Sequence, residues 1–326
     1  MKKLAFGLVA AWFLLMEPAS AQSIWFAPQP RLGQNSDYMD LFEPNAPWQQ
    51  VASKVQVFAV GGEFVIYTPD DVLRRIFSDV KRRGFALHIG ILPLTPPDGK
   101  YGPGGCGYHV EGYGGQPMPK FAQRLKSLGA EPKYFGLDTP LYNGHVLRDG
   151  QRGCNSSIAD IAQDIAGKFR AAREVFPGIR FGDVEPINFN PLNPWFRDDR
   201  WLHDLSEWFD AYEAATGDKL AYLRLDMWWN MPWQQHMQAL TDLLKRKGIP
   251  LQVIYDASGK QPTDAAWMDS AAAHFKEFES GPWPKPDAAV FGYWTKPPTH
   301  VLPETDPTSG TGLVARYIEW RESQQR

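Results

Sequence analysis

The sequence has 326 residues, and its 34 Lys and Arg against 37 Asp and Glu give a formal net charge of −3 at pH 7. Because a mildly acidic chain without a long basic run has little attraction for phosphates, we do not expect nucleic-acid binding. Aromatic residues make up 13 % of the chain and include 13 Trp, a composition that fits either a neutral, flat ligand such as a carbohydrate or the packing of a large core.

The N-terminus has the pattern of a secretory signal peptide. Met1–Lys3 is basic, Leu4–Met16 is apolar but too short to span a bilayer, and Ala19–Ala21 is a small-residue cleavage site. We expect cleavage after Ala21, which leaves residues 22–326 as one catalytic domain in the periplasm or outside the cell. No later segment is long and apolar enough to enter a membrane, so no membrane partner is expected after cleavage.

Eight short apolar runs follow, and a stretch with helical periodicity comes after each of them. Alternation of this kind predicts parallel βαβ units, and eight units in about 250–300 residues predict an α/β chain folded as a single (β/α)8 TIM barrel. The runs are Ser23–Gln29, Val55–Val60, Phe85–Leu92, Lys133–Thr139, Ile179–Ile187, Leu220–Trp229, Leu251–Ala257 and Ala289–Thr295.

Long loops are predicted on the C-terminal face of this barrel, where the active site of the fold lies. The longest, Pro93–Pro117, is rich in Gly, Pro and Tyr and lacks any periodic pattern, which is typical of a functional loop. Cys106 lies in this loop, and Cys154 lies in the loop after the fourth strand. Since an oxidising compartment favours pairing, we expect a disulfide that braces the rim of the site.

Alternation of side chains along each strand predicts which residues point into the barrel. In the sixth strand the apolar Leu223 and Leu225 are predicted to face the helices. Arg224 and Asp226 have the opposite parity and are predicted to face inward, and a polar residue in any other strand is assigned to the inward face in the same way. The inward ionisable set is then His88, Asp138, Asp183, Glu185, Arg224, Asp226 and Asp256.

Two carboxylates held apart across a cleft are the minimum apparatus for glycoside hydrolysis. Glu185 is predicted to be the general acid, because it is the only Glu on the predicted inward face near a strand end. Neighbouring Asp183, itself a catalytic candidate, would raise the pKa of Glu185. Asp226 or Asp138 is predicted to be the partner, and Asp256 is a further candidate behind these two. An alternative for Asp183 or Asp226 is a structural ion pair with Arg224 in a polar barrel layer.

Aromatic and polar side chains at or beside the strand ends are predicted to stack on sugar rings and to bind sugar hydroxyls. These predicted substrate-binding residues are Trp25, Glu63, His88, Arg224, Trp228, Trp229, Tyr255, Asp256, Tyr293 and Trp294.

These features resemble the secreted (β/α)8 glycoside hydrolases over the whole mature chain. Val184-Glu185-Pro186 is similar to the Asn-Glu-Pro acid/base motif of the largest clan of these enzymes, but Val184 replaces the Asn and the motif falls on the fifth strand instead of the fourth. The Asp-x-x-Asp-x-Asp-x-Glu signature of chitinase-like barrels is absent. The resemblance therefore implies a glycosidase or transglycosylase that acts on oligo- or polysaccharides, outside these two groups.

Two other functions stay open. His88 with the inward carboxylates could bind a divalent cation in a metal-dependent enzyme, although only one inward His is available and no HxH or HExxH spacing occurs. The barrel could also bind glycans without cleaving them. Since the sequence has neither a Gly-x-Ser-x-Gly elbow nor a glycine-rich strand-to-helix turn, no nucleophilic triad and no metal or nucleotide cofactor is predicted.

Overall fold

The chain forms eight parallel strands that pair in chain order and close into a single barrel, as the strand–helix alternation predicts. The last strand pairs with the first, from Ser23 with Ala288 to Pro28 with Tyr293. The fold is therefore a (β/α)8 TIM barrel. The predicted signal peptide lies outside the described residues. The computed structural model describes residues 22–29, 37–147, 153–187, 189–198, 200–324 and 326.

All eight strands fall on the predicted apolar runs, and the sixth is the shortest, with three residues. The strands are β1 (Ser23–Pro28), β2 (Val57–Val60), β3 (Ala86–Ile91), β4 (Pro132–Asp138), β5 (Arg180–Glu185), β6 (Leu223–Leu225), β7 (Leu251–Ile254) and β8 (Ala288–Tyr293).

Helices surround the barrel, and local signals fix their ends. The Ser157 side chain caps the fifth helix by accepting the N–H of Asp160, and Gly248 ends the eighth in a left-handed conformation with φ 67°. None of the described helices is long and apolar enough to cross a membrane. The helices are α1 (Gln49–Ala52), α2 (Gly62–Tyr67), α3 (Asp70–Arg82), α4 (Met118–Ser127), α5 (Ile158–Val175), α6 (Pro194–Arg197), α7 (Arg200–Thr216), α8 (Met237–Lys247), α9 (Asp264–Ser280) and α10 (Gly310–Gln324).

The main hydrophobic core lies between the strands and the helices. Much of the aromatic content serves this core, because five Trp side chains are fully buried in it. The packing explanation of the composition therefore accounts for a large share of the Trp residues. These five are Trp48, Trp201, Trp208, Trp233 and Trp267.

A second, smaller cluster fills the inside of the barrel. The rings of Tyr134 and Tyr222 lie 5.0 and 5.3 Å from that of Trp25, measured between centroids. Arg224 lies 4.9 Å from the Trp25 and Tyr222 rings, and His88 Nε2 lies 2.8 Å from the Tyr222 hydroxyl. The barrel is thus a packed core below its mouth and not a pore.

Glycines on the inward face make room for these large side chains. A Cβ at Gly182 would overlap the Tyr222 ring, and a Cβ at Gly136 would overlap His88 Nε2. Gly182 therefore faces inward, and its neighbours Asp183 and Glu185, of opposite parity, face the helices. The prediction that these two acids point into the barrel was wrong.

Candidate active site

Three aspartates stand at the upper ends of strands with the inward parity. Asp138 is the last residue of β4, and Asp226 and Asp256 follow β6 and β7. Their outward neighbours, such as Leu137 and Met227, are buried in the outer core, which orients the three acids toward the barrel mouth. Parity thus places these three carboxylates where the sequence predicted, at the face that carries chemistry in this fold.

The three carboxyl groups act on one another electrostatically. Burial raises the pKa of Asp138 well above its ordinary value, and the charges of Glu111 and Asp226 raise it further. Burial and then the charges of Asp256 and Glu111 raise the pKa of Asp226. Burial also raises the pKa of Asp256, to about 7, against the lowering effect of a hydrogen bond from Trp229. Burial and the neighbouring negative charges therefore favour the protonated forms of Asp138 and Asp226.

Trp229 has a role that differs from the predicted one. Its indole N–H donates to Asp256 Oδ1 at 2.8 Å, while its ring is buried in the outer core against His274. The backbone carbonyl of Asp256 in turn lies 2.6 Å from His274 Nδ1. Trp229 therefore orients an acid at the mouth and does not present its ring to a ligand.

Glu111 is the mouth residue that the sequence analysis missed. It lies in the long loop after β3, whose Leu94 donates its N–H to the Gly112 carbonyl at 2.7 Å. The Asn143 side-chain amide donates to the Glu111 carbonyl, and a Cβ at Gly112 would lie 2.5 Å from the Asp138 carbonyl. The loop is thus packed directly on the end of β4. Glu111 is the only Glu in Pro93–Pro117, which is the one signal that could have singled it out.

The predicted disulfide joins this loop to the next one. Cys106 and Cys154 are bonded, with 5.1 Å between their Cα atoms. The bond connects the loop that carries Glu111 with the segment before α5, so the rim is cross-linked as expected.

The turn after Asp138 is held in an unusual conformation. Thr139 has a left-handed φ of 51° although it is not a glycine, and its N–H donates to the Val184 carbonyl at 2.8 Å. Conformations of this kind persist only where surrounding contacts hold them, and they are often found at functional sites.

Glu185 supplies contacts that hold this turn. Its side chain is completely buried, and its two oxygens accept the N–H groups of Leu141 and Tyr142 at 2.7 and 3.0 Å. Burial and the Asp183 charge raise its pKa. Asp183 is completely buried too, and its Oδ2 accepts the Trp208 indole N–H at 2.8 Å. Neither carboxylate reaches the mouth, so the predicted general acid lacks access to a ligand in that cleft.

The predicted sugar-binding aromatic residues divide into two groups. Trp228 is 47 % exposed and Trp294 is half-buried. Both follow a strand and have the inward parity, so they are available to a ligand at the mouth. Tyr255 and Tyr293 face the outer core instead, where the Tyr255 hydroxyl donates to Glu279 and the Tyr293 ring packs on Trp267. The prediction that these two tyrosines contact a sugar was therefore wrong, because odd-numbered positions of β7 and β8 face the helices.

The polar residues predicted to bind substrate also differ in position. Glu63, in the first turn of α2, is exposed and adds to the charge that raises the pKa of Asp138, so it lies near the mouth. Trp25, His88 and Arg224 lie below the mouth, in the buried cluster that fills the inside of the barrel. Arg224 donates to Gln252 Oε1 at 2.9 Å. Among the described residues it forms no ion pair with a carboxylate, which removes the structural explanation considered for the neighbouring acids.

No known protein family matches the chain, and no curated protein matches it either. Several solved structures resemble the chain, glycoside hydrolases among them. Xylanase 10B from Thermotoga maritima has 11 % identity over 94 % of this chain and 97 % of its own, with a TM-score of 0.49. The catalytic domain of beta-amylase from Paenibacillus polymyxa has 9 % identity over 94 % and 100 %, with a TM-score of 0.48. GH5_18 from Streptomyces cattleya has 10 % identity over 93 % and 81 %, with a TM-score of 0.48. An epimerase and an aldolase are also among the matches.

Proposed function

We propose that this protein is a secreted glycoside hydrolase or transglycosylase that acts on oligo- or polysaccharides. The observation that carries the proposal is the group of Asp138, Asp226 and Asp256 at the ends of three barrel strands. Burial raises all three pKa values, and the charges of neighbouring acids raise those of Asp138 and Asp226 further. Glycoside hydrolysis requires one carboxyl group that holds a proton and another that is ionised, and an arrangement of this kind provides both.

In the proposed mechanism Asp138 is the general acid. Its raised pKa favours the protonated carboxyl group, which can protonate the oxygen of the leaving group. Two strand spacings separate β4 from β6, about 9–10 Å along the sheet, so Asp138 and Asp226 stand on separate strands of the mouth.

The Asp226–Asp256 pair is the proposed ionised partner. The Trp229 N–H stabilises the charge on Asp256. Asp226 has no such donor among the described residues, and its raised pKa favours its protonated form. The pair therefore carries one negative charge, which stabilises an oxocarbenium-like transition state and acts either as the nucleophile or as the base on a water. Trp228 and Trp294 would stack on the sugar rings, and Glu63 and Glu111 would bind hydroxyls.

The test is a screen of the purified protein against a glycan panel, with product anomers followed by NMR. We expect Asp138→Asn to lower kcat on the true substrate by about 10²–10⁴-fold, the usual contribution of a general acid, with the fold unchanged by circular dichroism. Asp98→Asn, an exposed carboxylate in the loop after β3, is the matched control and should keep full activity.

Three results would overturn the proposal. Full activity of Asp138→Asn would remove the assigned acid. Glycan affinity without turnover would indicate a binding barrel. Loss of activity in chelator with an unchanged melting temperature, and with rescue by a divalent cation, would indicate a metal-dependent enzyme.

A further inference from the structure

A cluster of metal-ligating side chains lies near the start of α7, outside the acids of the mouth. His203, Asp204 and Glu207 each place one ligand atom within 4.8 Å of the others. His203 Nδ1 lies 3.3 Å from Asp204 Oδ1 and 4.0 Å from Glu207 Oε2. His203 and Glu207 are four residues apart on the helix and therefore on the same face.

The central carboxylate of this cluster is fixed in place. Asp204 is only 7 % exposed, and its Oδ2 accepts the indole N–H of Trp195 at 2.8 Å. A hydrogen bond of this kind to one carboxylate oxygen orients the other, which here is the oxygen next to His203. Such outer contacts are typical of carboxylates that bind metals.

A second histidine approaches the same carboxylate from the turn after β4. His145 Nδ1 lies 2.8 Å from the Ser156 carbonyl, which can only accept, so this nitrogen carries a proton. The Nε2 of His145 lies 4.0 Å from Asp204 Oδ2. No described Lys or Arg forms an ion pair with Asp204 or Glu207.

We propose that His203, Asp204 and Glu207 bind one Zn²⁺, with the fourth position open to water or to His145. Zinc bonds to nitrogen and oxygen of about 2.0–2.2 Å imply distances of about 3.3–3.6 Å between ligands in a tetrahedral site. The His203–Asp204 distance already meets this requirement. The longer distance to Glu207 closes by side-chain rotation, since the side chains of His203 and Glu207 are 79 % and 54 % exposed. A mixed imidazole–carboxylate site favours zinc over magnesium or calcium.

The ion would brace the rim of the barrel. Through Asp204 it holds the start of α7 next to Trp195 of α6 and next to His145 of the turn after β4. That same turn begins with the residues that Glu185 anchors. The inferred site is structural, and it does not depend on the function proposed for the mouth.

The experiment is calorimetric titration of Zn²⁺ into chelator-stripped protein made without a polyhistidine tag. We expect one saturable equivalent, and a melting temperature that rises with Zn²⁺.

Variants locate the ion. His203→Gln and Glu207→Gln alter exposed side chains, so they should fold normally and weaken Zn²⁺ binding at least about 10-fold each, the range found for lost metal contacts. Glu213→Gln, an exposed acid further along α7, is the matched control and should bind as the unmodified chain does. Absence of saturable binding would overturn the proposal. Unchanged affinity in both variants would overturn it too, and loss of binding in Asp138→Asn would then place the ion at the mouth.

Discussion

The Oε1 atom of Glu185 accepts the backbone N–H of Leu141 at 2.7 Å, and this bond joins the outward face of β5 to the turn that follows Asp138 on β4. The Glu185 carbonyl also accepts the N–H of Asp226 at 3.0 Å. One buried residue thus holds the backbone next to two acids that lie on either side of the mouth. In the proposed reaction Glu185 is a positioning residue, whereas its sequence context suggested the general acid.

Glu185→Gln separates these two roles. Gln offers one acceptor oxygen where two N–H groups need acceptors, so we expect the free energy of unfolding to fall by about 1–3 kcal/mol. Displacement of the Asp138 turn should lower kcat by roughly tenfold, far less than loss of a general acid costs. Urea denaturation and steady-state kinetics measure both. Loss of turnover by orders of magnitude with unchanged stability would instead restore Glu185 as the acid.

Asp183 makes the stability of the fold depend on pH. Burial raises its pKa to about 7 in the folded chain, above the value of about 3.9 in an unfolded one. Between these values the folded state holds a proton that the unfolded chain releases. The stabilisation is therefore complete below about pH 4 and is lost as the pH rises through 7, with a span of up to about 4 kcal/mol.

Asp183→Asn provides the comparison. Asn cannot titrate, yet its oxygen can still accept the Trp208 indole N–H that Asp183 accepts at 2.8 Å. Urea unfolding at pH 5 and pH 8 should show a smaller decline in stability for the variant than for the unmodified chain. Equal declines would mean that Asp183 is ionised throughout.

The architecture was readable from the sequence because strand–helix alternation depends on local apolar runs, and all eight strands fall on those runs. The inward face of a strand could be predicted only where apolar residues next to the polar ones marked the outer face. In β6 the leucines identify the outer face, and Arg224 and Asp226 do point inward. In β5 the same rule failed, because Trp208 and the backbone amides of the turn after β4 satisfy outward-facing acids. Those partners come from segments distant in sequence.

One pattern in the sequence indicates which face of β5 points toward the helices. An apolar residue followed by Gly recurs in four strands, as Ile89-Gly90, Phe135-Gly136, Phe181-Gly182 and Phe291-Gly292. The apolar member lies in the outer core each time. When β5 is aligned with the other strands on this pattern, Asp183 and Glu185 share the parity of Phe181 and lie on the outer face. The approach of Glu111 to the mouth had no comparable signal, since a loop's path depends on its tertiary contacts.

Gly182→Ala tests the packing that sets this orientation. A Cβ at this position would overlap the Tyr222 ring inside a filled barrel, so we expect a loss of about 1–3 kcal/mol or more in the free energy of unfolding. Gly178→Ala is the matched control in the turn before β5. Apart from its chain neighbours, no atom of the described residues lies within 4 Å of the added Cβ, so the stability of this variant should change little. Equal stability of the two variants would show that the interior has space at Gly182.

Glu111→Gln tests the electrostatics of the mouth. The Glu111 charge raises the pKa of Asp138 more than any other neighbouring charge does, and removing it lowers that pKa. Because Asp138 must be protonated to act as the general acid, the alkaline limb of kcat against pH should move to lower pH in the variant. Asp98→Asn, in the same loop, should leave the limb in place. A limb that stays fixed in Glu111→Gln, or moves to higher pH, would show that Asp138 does not supply the catalytic proton.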